Sequence, residues 1–95
     1  MAQVERATRE DVDHLLARAF AAWESLPDVL RSIEHWDIED QLAFIEEWPI
    51  EEDRLQRLAM FANDGMLTDS QRGRYDHLLG IVSKMRPQME TLQRT

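Results

Sequence analysis

The chain has 95 residues, 43% of them hydrophobic and 32% charged, with 19 acids against 11 bases and a net charge of −8. That length suits one domain of about 100 residues, the composition is that of a globular chain rather than a disordered one, and the lack of cysteine excludes disulfides, thiolate metal sites and cysteine nucleophiles. No apolar run nears the ~18–20 residues of a membrane span, and the acidic balance disfavours wholesale binding to nucleic acid or an anionic membrane.

Thr8, followed by Arg9, Glu10 and Asp11, reads as an N-cap with an acidic first turn. Val12, Leu15, Leu16, Ala19, Phe20, Ala22, Trp23 and Leu26 then share one face at about 100° per residue. Pro27 is expected to stop this first helix and to open a short second one that shows Val29, Leu30, Ile33 and Trp36 on one side. Asp37, with Asp40 three residues on, resembles a capping arrangement for a third helix. In that helix Ile38, Leu42, Ile45 and Trp48 are expected inward, and Glu39, Glu46 and Glu47 outward.

Pro49 should end the third helix, because a residue before proline is pushed out of helical geometry. Proline also fits the first position of a fourth helix, whose first turn Glu51-Glu52-Asp53 complements the helix dipole. Its buried arc is predicted to be Ile50, Leu55, Leu58, Ala59, Phe61 and Ala62, and Asn63-Asp64-Gly65 closes it, with Gly65 left-handed. Thr68 and Gln71 form a T-x-x-Q capping box for a fifth helix. Along that helix Tyr75, Leu78, Val82, Met85, Met89 and Leu92 recur at alternating steps of three and four, a heptad seam broadened by Leu79 and Ile81. Gly73, Gly80 and Pro87 fall seven apart on the outer side, and Pro87 predicts a kink or break.

The stretch from Gly65 to Gln71, followed by Arg74-Tyr75, looks like the turn of many small bacterial helical hairpins, and the resemblance carries no activity. No period-two alternation is sustained. The expected fold is therefore all-α: a single domain over residues 1–95, built as a compact bundle of about five short helices with a C-terminal antiparallel helical hairpin. The opening MAQVERATRED contains no secretory apolar stretch, which points to a cytoplasmic protein.

Motifs for catalysis are missing. His14, His35 and His77 all fall on polar sides of their helices, and no Glu-x-x-His or H-E-x-x-H is present. Asp11 with His14 is a lone approximation to a metal-binding pair, so a small metal-dependent enzyme using Asp11, His14 and His35 stands as an alternative function. Ser25, Ser32, Ser70 and Ser83 lack a nucleophile elbow. No catalytic residue, resident metal or cofactor is expected.

Charge is the one functional signal. Residues 1–33 carry −2 and residues 54–95 carry +3, while residues 34–53 hold nine acids, no lysine or arginine, and three aromatic residues. Glu39, Asp40, Glu51, Glu52 and Asp53 have a local reason to be acidic, since they stand in first helical turns. The absence of any base does not. An aromatic rimmed by carboxylates suits a basic partner, so Glu39, Phe44, Glu46, Glu47, Trp48, Glu51, Glu52 and Asp53 are the candidate partner-binding residues.

The seam Tyr75, Leu78, Val82, Met85, Met89 and Leu92 can pack within the chain or across a two-fold axis in a homodimer. Met60 stands out on the polar side of the fourth helix. Arg72, Arg74, Lys84 and Arg86 are dispersed around the fifth, which leaves a DNA-binding module as the weakest alternative. The leading expectation is a non-enzymatic protein–protein interaction module, an antitoxin- or inhibitor-like acidic partner of a basic protein.

Overall fold

The first helix, α1, runs unbroken over Ala2–Ser32 in a computed structural model that describes the backbone of residues 2–94 and the side chains of residues 8–94. A 3-10 turn at Ile33–His35 follows, then α2 (Ile38–Glu47), α3 (Pro49–Asn63) and α4 (Asp69–Arg94). Among the described residues there is no strand. The all-α expectation holds, but the count changes: four α-helices and a 3-10 turn replace five short helices.

The difference lies at Pro27, which sits inside α1 rather than at a boundary. Proline removes one backbone donor and crowds the carbonyl four residues back. Here that loss falls on the outer side, where Pro27 is exposed, while Trp23 and Leu26 anchor the inner side. Thr8 likewise lies within α1, because Ala2, Gln3, Glu5, Arg6 and Ala7 favour a helix and no breaker precedes it. Pro87 is also taken up without a break, since α4 is helical from Asp69 to Arg94. Pro49 does separate α2 from α3, yet Trp48 keeps helical angles (φ −57°, ψ −35°) instead of leaving that region.

Three long helices make the bundle. Gln71 near the start of α4 reaches Arg9 and Asp13 near the start of α1, and Arg86 lies over the Trp23 ring, so α4 runs parallel to α1. Glu52 of α3 pairs with Arg86, so α3 and α4 run antiparallel. The predicted hairpin is nevertheless not packed on itself. Both α3 and α4 rest chiefly on α1, whose apolar face is wide enough to serve the two, and the Glu52–Arg86 pair bridges between them. The 31 residues of α1 span about 46 Å, and they account for most of the 50 Å long axis.

The core is Val12, Leu16, Ala19, Trp23, Leu26, Trp48, Leu55 and Leu58 packed with Tyr75, Leu78, Val82, Met85 and Met89, and Leu92 is partly buried against it. The candidate dimer seam is thus covered by α1 of the same chain.

Local signals at the α3–α4 turn are realised in full. Gly65 takes φ 71°, its amide donates to the Ala62 carbonyl at 3.1 Å, and the Met66 amide donates to that of Phe61 at 2.9 Å, which is a Schellman closure. At the capping box, the Gln71 amide donates to Thr68 Oγ1 (3.1 Å) and the Thr68 amide donates to Gln71 Oε1 (3.0 Å). Gln71 is only 4% exposed, and its Nε2 donates to the Arg9 carbonyl (3.0 Å) and to Asp13 Oδ1 (2.9 Å). One amide therefore both caps α4 and ties it to α1. Gln71→Ala is expected to cost about 1–2 kcal/mol, read as a lowered thermal midpoint. Thr68→Ala, which keeps the bonds to α1, should cost less.

At the start of α2 the expected Asp37 cap is absent: no side-chain bond forms there, and Gln41 Nε2 instead donates to the Trp36 carbonyl at 2.9 Å.

Candidate interaction surface

Helix α2 buries none of its ten residues completely. Ile38 is 66% exposed and Leu42 50%, which corrects the expectation that both point inward. The bundle explains this. Trp48, just after α2, fills the space over Trp23, and α2 behind it is held off the core with its Ile38–Leu42 flank uncovered. Ile50, placed in the buried arc of the fourth predicted helix, is exposed as well. Phe44 and Ile45 are half-buried.

The candidate partner-binding residues divide into two groups. Glu39, Glu46, Glu47 and Asp53 are exposed, and none forms an ion pair among the described residues. The others serve the fold. Trp48 is 4% exposed and meets Trp23 edge to face, with ring centroids 4.9 Å apart. Glu51 is largely covered and accepts from Arg54 at 2.6 Å. Glu52 holds Arg86 through two bonds, at 2.8 and 3.2 Å. Phe44 stands between the groups: its ring lies 5.6 Å from Trp48 on one side and 5.9 Å from Trp36 on the other.

Sequence reasoning placed Trp36 among the acids but did not single it out as a binding residue. Trp36 and Phe44 form the walls of an open notch, and His35, Asp37, Asp40 and Glu47 stand around it. The signal was the spacing: Trp36 precedes α2, Phe44 lies two turns into it, and Asp37 and Asp40 fall between.

Other candidate residues do not converge. His14 lies with Asp11 in a groove between α1 and α3, while His35 sits beyond the far end of α1 next to Glu34. Among the described residues no three His, Asp or Glu side chains are arranged to hold a metal ion. Arg72, Arg74 and Arg86 face Asp76, Asp13 and Glu52 respectively, so three of the four bases considered for DNA are paired with carboxylates. No helix among the described residues is long and apolar enough to cross a membrane. Comparison with protein-family models, with curated proteins and with solved structures finds no match to this chain.

Proposed function

We propose that this protein is a non-enzymatic interaction module that uses α2 and the start of α3 to bind a basic protein partner. One observation carries the reading: Ile38 and Leu42, one turn apart on α2 and both exposed, form an apolar flank in the segment with no lysine or arginine from residue 34 to residue 53. Exposed apolar surface beside unpaired carboxylates supplies both ingredients of a selective interface, burial for affinity and charge for steering. Masking a basic protein, in the manner of an antitoxin or an inhibitor, is the role that suits it.

Titration of an amphipathic Lys/Leu helical peptide against the intact chain tests this. Association should weaken steeply as salt is raised, and Glu46→Lys with Glu47→Lys should slow the on-rate by about tenfold. Ile38→Ser with Leu42→Ser should weaken binding while shifting stability by no more than about 0.5 kcal/mol, because both side chains are already exposed. A salt-independent response, or peptide binding indifferent to all four substitutions, would refute the reading.

A further inference from the structure

We infer that a second copy of this chain covers α2, seating the Ile38–Leu42 flank of one protomer in the groove between α1 and α3 of the other. The inference shares the α2 surface with the proposed function and goes beyond it: self-association and capture of a basic protein exclude each other.

The groove joins features that the fold leaves unused. Met60 is 65% exposed on α3 beside the half-buried Phe61, and Leu15 of α1 completes an apolar floor. Arg18 of α1 and Arg57 of α3 also line the groove, both exposed, and neither forms an ion pair among the described residues. Leu15 lies three residues before Arg18 and Met60 three after Arg57, so on each helix the apolar side chain and the guanidinium share a face. Because α3 runs antiparallel to α1, Asp11 and Asp64 fall at one end of the groove, and Arg18, Arg54 and Arg57 lie toward the other. Arg54 is already held by Glu51, which leaves Arg18 and Arg57 to meet a partner.

Helix α2 carries the complement. Ile38, Leu42 and Glu46 follow at intervals of four and form one exposed row, in which two apolar residues lead into a carboxylate. Glu46 and the adjacent Glu47 form no ion pair among the described residues. Seating this row in the groove lays Ile38 and Leu42 on Leu15, Met60 and Phe61, and brings Glu46 and Glu47 against Arg18 and Arg57. Apolar surface then meets apolar surface, and each unpaired charge meets its opposite. Methionine, unbranched and adaptable, suits the groove side of such a contact.

Every copy holds both halves, so a two-fold dimer forms the contact twice. Each copy brings a net charge of −8. At physiological ionic strength, however, exposed charges farther apart than about 8 Å are largely screened. The opposed charges at the contact therefore outweigh the repulsion between the two molecules as wholes.

Sedimentation equilibrium of the intact chain and its variants tests the contact, and the wild type should be a dimer. Glu46→Lys with Glu47→Lys sets lysines against Arg18 and Arg57. Arg18→Glu with Arg57→Glu sets carboxylates against Glu46 and Glu47. Either pair should weaken self-association at least about tenfold, with helicity by circular dichroism unchanged because all four residues are exposed. An equimolar mixture of the two variants should recover dimers, since the new lysines then face the new glutamates while native acids face native bases. The Lys/Leu peptide should dissociate the wild-type dimer, because both claim α2.

A wild type that stays monomeric at its highest soluble concentration would overturn the inference. So would a dimer untouched by either pair of substitutions, a mixture no tighter than its components, or a peptide that binds the dimer without dissociating it. Peptide binding in any of these cases would leave the proposed function standing. Recovery in the mixture with no peptide binding would uphold the second copy and remove the foreign basic partner.

Discussion

Trp23→Ala should come close to unfolding the protein. Trp23 is 0% exposed in the core that α1 shares with α3 and α4, meeting Trp48 edge to face at 4.9 Å with the Arg86 guanidinium over its ring at 5.9 Å. Removing so large a buried side chain costs about 3–5 kcal/mol. A domain of this size has only roughly 5–14 kcal/mol in total, so the thermal midpoint should fall by at least about 12 °C.

Trp23→Phe separates packing from the polar term. The indole Nε1 of Trp23 is buried without a hydrogen-bond acceptor among the described residues, a group that costs about 1–3 kcal/mol to leave unpaired. Phenylalanine keeps most of the ring and discards that donor, so Trp23→Phe should lose far less than Trp23→Ala. Thermal melts of both variants check the pair. A loss from Trp23→Phe as large as that from Trp23→Ala would mean that the indole nitrogen contributes to stability after all.

The parts of the fold that were legible in sequence are those in which the local chain supplies its own partners. The Thr68–Gln71 box and the Gly65 closure need only neighbouring backbone, and both form as their residue types require. The α4 seam was readable because Tyr75, Leu78, Val82, Met85 and Met89 repeat without interruption, and all five are buried. The same rule was available for α1 and points across Pro27: Val12, Leu16, Ala19, Trp23, Leu26, Leu30 and Ile33 alternate steps of four and three with no change of phase. A proline outside such a stripe does not cut it. The continuous register outweighs the single lost donor.

What could not be read was how much apolar surface the bundle has room to cover. Ile38, Leu42 and Trp48 belong to one periodic pattern, yet only Trp48 reaches the core. Periodicity identifies a face without saying whether another helix lies opposite it. In a bundle where α1 already receives both α3 and α4, α2 meets the core through the partly buried Phe44 and through Trp48 just after its end. The candidate surface was legible as a segment and not as residues, for the same reason. Glu51 and Glu52 carry the same charge as Glu46 and Glu47, but their partners Arg54 and Arg86 are brought up only by the helix turn and by the fold.

Replacing Pro27 with alanine is expected to stabilise the protein. A proline in a helix interior is about 3 kcal/mol less favourable than alanine, because it lacks the amide that the preceding turn needs. Pro27 is exposed, so no core contact is given up, and alanine would restore the donor to the Trp23 carbonyl. Against this, proline restricts the unfolded chain, which offsets about 0.4–1 kcal/mol. The net gain should be about 2 kcal/mol, with the same sign at Pro87, which is exposed on α4 in the same way. Chemical denaturation of Pro27→Ala and Pro87→Ala measures both gains. If instead Pro27→Ala destabilised, the helix would have to be broken or sharply bent at residue 27, and the two sections of α1 would have to pack as separate rods. Leu30 packs on the same core as Trp23 and Leu26, which argues against that arrangement, since a break would turn it away from that stripe.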